Sequence, residues 1–98
     1  MEKIKVIMID DNVNLISMVE DYFEDNQKIE IVGKAYDGIE GLELIKNEDI
    51  KYDLVILDLI MPKMDGLSLM NKIHNDGSMI KLPFFIIASA ISNETVIQ

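Results

Sequence analysis

The sequence predicts an α/β fold wound around a parallel sheet. Three observations carry that prediction. Short, nearly unbroken apolar runs occupy Ile4–Ile9, Leu54–Leu57 and Phe84–Ala88, the pattern of strands covered on both faces. Helical patterns lie between the strands, so the order strand, helix, strand, helix, strand, helix, strand requires helical crossovers of right-handed sense. The three apolar runs also end in polar residues: Asp10-Asp11-Asn12, Asp58 and Ser89.

Each element has its own signal. After the Ile4–Ile9 strand, Leu15, Met18, Val19, Tyr22 and Phe23 follow the i, i+3, i+4, i+7, i+8 stripe of a helix facing a core. Asp10 or Asp11 is a candidate cap for that helix. Ile29–Ala35 is more polar than the other strands, which suits a sheet edge. Asp37-Gly38 opens a second helix marked by Ile39, Leu42 and Ile45, and Leu69 and Ile73 mark a third, closed near Gly77. Pro83 precedes the fourth strand, where a missing N–H is tolerated. Asn93–Gln98 begins a fourth helix, with Ser92 or Asn93 as its cap.

Composition narrows the function. At 98 residues, with 49% hydrophobic and 28% charged, the chain suits one small domain with a buried core. The absence of cysteine removes disulfides, thiolate metal sites and a cysteine nucleophile. A net charge of −9, from 18 acidic and 9 basic residues, repels phosphate backbones and argues against direct nucleic-acid binding by this segment. No run approaches the roughly 18 apolar residues of a membrane span, so the expected location is the cytoplasm. The seven methionines read as packing residues. His74, the lone histidine, reads as an exposed bystander on a helix rather than a phosphodonor or ligand.

Asp10, Asp11 and Asp58 fall at the carboxyl ends of two predicted strands, the edge where parallel sheets build their sites. If those strands are neighbours, three carboxylates converge, and their mutual repulsion favours a compensating cation. Hard oxygen donors suit Mg²⁺ or Mn²⁺. A single such aspartate would be read as a helix cap or the start of a loop. Three together favour the cation.

Ile9-Asp10-Asp11-Asn12, Leu57-Asp58-Leu59-Ile60-Met61-Pro62-Lys63-Met64-Asp65-Gly66 and Ala88-Ser89-Ala90 resemble the three signature segments of response-regulator receiver domains of two-component signalling. The resemblance implies a flavodoxin-like sheet of order 2-1-3-4. It implies Asp58 as the phosphoacceptor. Asp10, Asp11, Asp58 and the backbone carbonyl of Ile60 are the implied ligands of Mg²⁺ or Mn²⁺. Ser89 matches the switch hydroxyl that moves toward the new phosphoryl group. Met61-Pro62 shapes the loop after the acceptor and Gly66 supports a tight turn. Ile60 and Ile91 take the apolar positions two beyond the acceptor and two beyond the hydroxyl, which implies slow autodephosphorylation.

Receivers of this family have a fifth strand, a fifth helix and an invariant lysine, which on this reading lie beyond Gln98. No lysine of the chain takes the catalytic role by motif, and Lys63 matches a variable loop position. The expectation is an incomplete receiver domain over 1–98, whose exposed fourth strand invites dimerisation or strand exchange. Implied partners are a sensor histidine kinase or phosphotransfer protein and a separate output domain, often DNA-binding. The segments look most like those of the sporulation-initiation regulators of endospore-forming bacteria. A phosphorylation-independent interaction module with the same fold is the alternative. A phosphatase of the haloacid-dehalogenase type ranks third, because Ile9-Asp10-Asp11-Asn12-Val13 lacks that class's Asp-x-Asp.

Overall fold

The structure, a computed structural model, describes residues 2–59, 64–77 and 83–87. Its elements run β1 (Ile4–Ile9), α1 (Val13–Tyr22), β2 (Ile29–Ala35), α2 (Gly38–Lys46), β3 (Leu54–Leu57), α3 (Gly66–His74) and β4 (Phe84–Ile87). The four strands form one sheet in the order β2-β1-β3-β4, and every pairing is parallel. The more polar Ile29–Ala35 segment is therefore an edge, as its composition predicts.

Register explains where a site can form. Ile9 pairs with Ala35 on one side and Leu57 on the other, and Leu57 pairs with Ile87. The four strands thus finish in one transverse row, and the residues that follow emerge together. A bulge in β2 at Val32, where the register steps between Val6 and Ile7, keeps that row flush.

Alternation along the strands splits the core in two. Ile7, Ile9, Val55 and Leu57 point to one face, against Ile45 of α2 and Leu69 and Ile73 of α3. Val6 and Met8 point to the other, against Ile16 of α1. Ile7, Ile9, Ile16, Val55, Leu57 and Leu69 are fully buried, each such side chain stabilising the fold by about 1.5–3 kcal/mol relative to exposure.

Several expectations need correction. The core contact of α1 is Ile16, which is 0% exposed, whereas Met18 and Tyr22 of the expected stripe are 68% and 80% exposed. The helix is tied toward β2 by the Glu20–Lys34 ion pair, 2.9 Å. That roll buries Ile16 and part of Val19 and leaves the flank carrying Leu15, Met18 and Tyr22 facing outward. Ile39, placed on the inner stripe of α2 by periodicity, is also exposed, while Ile45 and Leu69 are buried as expected. Phe84 and Ile86 of β4 are exposed, β4 being the outermost strand on its side among the described residues. Ala88, Ser89 and the Asn93–Gln98 helix start lie outside the described residues.

Candidate metal centre

The strand ladder continues one residue past β1 and β3 and so positions two carboxylates. The Asp10 N–H donates to the Ala35 carbonyl at 3.0 Å, and the Asp58 N–H donates to the Ile9 carbonyl at 2.9 Å. Asp10 is bound by its backbone to β2, and Asp58 to β1. Because β1 and β3 are neighbours, Asp10, Asp11 and Asp58 each bring a carboxylate oxygen to within 4.8 Å of the others. Asp10 and Asp58 are buried and Asp11 is exposed, so the cluster has one exposed member.

Neither Asp10 nor Asp11 caps α1, contrary to one reading of the sequence. The cap is Asn12, whose Oδ1 accepts from the Leu15 N–H at 3.0 Å. Asp10 instead accepts the Asn12 N–H through Oδ1 at 2.8 Å, an Asx turn that holds its carboxylate over the strand ends. Asn12 is thus the residue that frees the acidic pair from helix-capping duty. Its signal was present in the sequence, since asparagine is a preferred cap immediately before an apolar stripe.

Burial raises the Asp10 pKa above its ordinary value, and the charges of Asp58 and Asp11 raise it further, against a lowering by the Asn12 hydrogen bond. Two buried carboxylates beside a third are costly unless a cation or proton compensates them. An all-oxygen donor set with one exposed member fits a small hard divalent ion that retains waters. The residues present therefore fit Mg²⁺ or Mn²⁺.

The chain after Asp58 returns to the same place. The Gly66 N–H donates to the Leu59 carbonyl at 2.9 Å, and a Cβ on Gly66 would stand 2.6 Å from the Asp58 carbonyl oxygen. Gly66 is the first residue of α3, capped by Asp65. Close approach to the Asp58 backbone, rather than a tight turn, is what requires glycine here. Ile60, Met61, Pro62 and Lys63, like Ser89 and Ile91, lie outside the described residues.

His74 is exposed at the far end of α3, away from the carboxylates. It borders a recess of about 150 Å³ with Met70, Ile73, Pro83 and Phe85. The structure does not bring it to the acidic cluster.

Residues 6–98 match the family model of the response regulator receiver domain. The chain belongs to that family. The receiver is 35% identical over 91 residues to a protein-glutamate methylesterase/protein-glutamine glutaminase 1 of Methanospirillum hungatei, covering 93% of this chain and 25% of that protein. It therefore spans about a quarter of that relative. Among solved structures, the receiver domain of the putative response regulator NarL from Mycobacterium tuberculosis superposes with a TM-score of 0.76 at 29% identity, over 98% of this chain and 73% of the other. A chain of the CheX-CheY-BeF3-Mg²⁺ complex from Borrelia burgdorferi gives 0.74 at 29% identity, over 95% and 66%. The sheet order 2-1-3-4 is that of the flavodoxin-like receiver fold. No helix among the described residues is long and apolar enough to cross a membrane.

Proposed function

We propose that this receiver is a phosphorylation switch in which Asp58 accepts a phosphoryl group beside a divalent cation held by Asp10, Asp11 and Asp58. The convergence of those three carboxylates at the flush end of β1 and β3 carries the reading. The Ile60 carbonyl and the Ser89 hydroxyl complete the site by resemblance, as a fourth protein ligand and as the group that answers the phosphoryl charge. The Mg²⁺ named with the Borrelia complex supports the choice of ion.

The chemistry is a displacement at phosphorus. A carboxylate oxygen of Asp58 forms the new P–O bond as the bond to the donor breaks, and the imidazole of a phosphohistidine or the carboxylate of a small acyl phosphate leaves with the electron pair. When bound, the cation supplies charge neutralisation for the phosphoryl oxygens. Asp58 is aligned for attack by its backbone bond to Ile9 and by Gly66 against its carbonyl. Asp10 and Asp11 would hold the ion beside Asp58.

The donor is a sensor histidine kinase or phosphotransfer protein in the cytoplasm, and the output belongs to a separate domain. The methylesterase activity of the Methanospirillum relative is a property of that whole protein and is not assigned here.

Incubation with Mg²⁺ and acetyl phosphate, followed by intact mass measurement, tests the proposal. The expected result is the gain of one phosphoryl group, lost in Asp58→Asn and in the presence of a chelator. A folded chain that gains nothing, or gains it equally in Asp58→Asn, refutes it.

A further inference from the structure

Near the site, the start of α2 lies close against the chain returning from Asp58. A Cβ on Gly38 would overlap the Met64 carbonyl oxygen, and would stand 2.6 Å from the Met64 Cβ and 2.7 Å from its carbonyl carbon. Two of these three atoms are backbone, so no side-chain rotation relieves the overlap. Met64 in turn lies two residues before Gly66, which packs on the Asp58 carbonyl oxygen and the Leu59 Cα. The start of α3 is therefore held by two glycine contacts, Gly66 on Asp58 and Gly38 of α2 on Met64.

The α2 side of this contact is stiff. The Asp37 Oδ1 accepts from the Glu40 N–H at 2.8 Å, and the Glu40 Oε1 accepts from the Tyr36 N–H at 2.8 Å, a reciprocal cap that fixes the first turn. The strand just before it is joined to the site, because Ala35 accepts the Asp10 N–H. At their other ends α2 and α3 are joined by the Lys46–Asp76 ion pair, 2.7 Å. The two helices thus meet at both ends, and the first turn of α2 has little freedom to retreat.

We infer that Gly38 is a positioning residue of the site: by admitting the Met64 carbonyl against the first turn of α2, it fixes the start of α3, whose Gly66 packs on Asp58, and so the ion-binding geometry. The inference rests on the reading of the carboxylate cluster as a cation site. A methyl group at Gly38 pushes Met64 away from α2 while leaving Asp10, Asp11 and Asp58 chemically intact. Loss of outer support of this kind weakens metal binding by on the order of tenfold or more.

The test compares Mg²⁺ affinity by calorimetry, and Tm with and without Mg²⁺, in the parent chain, Gly38→Ala, Ile45→Ala and Gly77→Ala. Ile45 is buried in the core at the other end of α2, and a Cβ at Gly77 meets nothing within 4 Å. Ile45→Ala therefore reports the cost of disturbing α2 packing away from Met64, and Gly77→Ala is the neutral control. The expected result is Mg²⁺ affinity weakened about tenfold in Gly38→Ala and held near the parent's in the other two. Gly38→Ala binding Mg²⁺ like the parent, or Ile45→Ala losing affinity equally, overturns the inference. In the unmutated chain, Mg²⁺ titration followed by amide NMR should shift Gly38 and Met64 together with Asp11, a result independent of whether the variant folds. Motionless Gly38 and Met64 signals beside a responding Asp11 also overturn it. A parent chain that binds no Mg²⁺ instead overturns the reading of the cluster on which the inference stands.

Discussion

Replacing Asp58 by asparagine should stabilise the metal-free receiver while abolishing its function. Asp10, Asp11 and Asp58 present oxygens no farther than 4.8 Å apart, and at that distance two unit charges repel by about 0.9 kcal/mol in water and about 3.5 kcal/mol at an effective dielectric of about 20. The charge of Asp58 raises the Asp10 pKa, so this repulsion is felt in the folded state. Asparagine keeps the size and one acceptor oxygen, so the packing around a 3% exposed side chain changes little. In chelator at neutral pH we expect a gain of about 1–2 kcal/mol, read as a Tm rise of roughly 5 °C or more for a domain of this size. Adding Mg²⁺ should raise the parent's Tm strongly and the variant's weakly, because a ligand that binds only the folded form stabilises in proportion to its affinity. Thermal unfolding by circular dichroism, with and without Mg²⁺, measures both. A variant that melts below the parent in chelator, or equal Mg²⁺ stabilisation of the two, refutes the electrostatic reasoning.

Acid should expel the ion early. Burial and neighbouring charge raise the Asp10 pKa in the folded chain, so its contribution to stability is complete below the unfolded value and is lost as pH rises through the folded one. Metal-free stability therefore declines across that window, and Mg²⁺ affinity by calorimetry falls as pH drops through the raised pKa, sooner than for an ordinary carboxylate. Ile16→Ala, at a site with 0% exposure, should cost about 2–5 kcal/mol in denaturant unfolding. Met18→Ala, at 68% exposure, should stay within about 0.5 kcal/mol, and equal costs would show that α1 packs on its Met18 flank instead. Gly66→Ala, whose Cβ would stand 2.6 Å from the Asp58 carbonyl oxygen, should lose about 1–3 kcal/mol together with acetyl phosphate loading. Unchanged loading would show that the start of α3 does not position Asp58.

Periodicity alone settled the alternation of strands and helices, because an apolar run such as Val6–Ile9, buried on both faces, suits a strand covered by helices on either side. It also brought out Asp10, Asp11 and Asp58, since each directly follows an apolar strand or its first polar residue, and chain order is enough to say that. Other features depended on how the elements settled on one another. The helical stripe of α1 spans Leu15 to Phe23, but a stripe wider than the contact leaves the choice of buried residue to the roll of the helix, and the Glu20–Lys34 pair accompanies a roll that selects Ile16. Asn12, Asp10 and Asp11 are all competent caps by residue type, and only the ladder bond that directs Asp10 across the strand ends leaves that role to Asn12. The glycines at 38 and 66 look in sequence like ordinary turn residues. Their need for a bare Cα arises where the Met64 and Asp58 carbonyls approach, and such approaches between segments distant along the chain exist only after the sheet and both helices are in place.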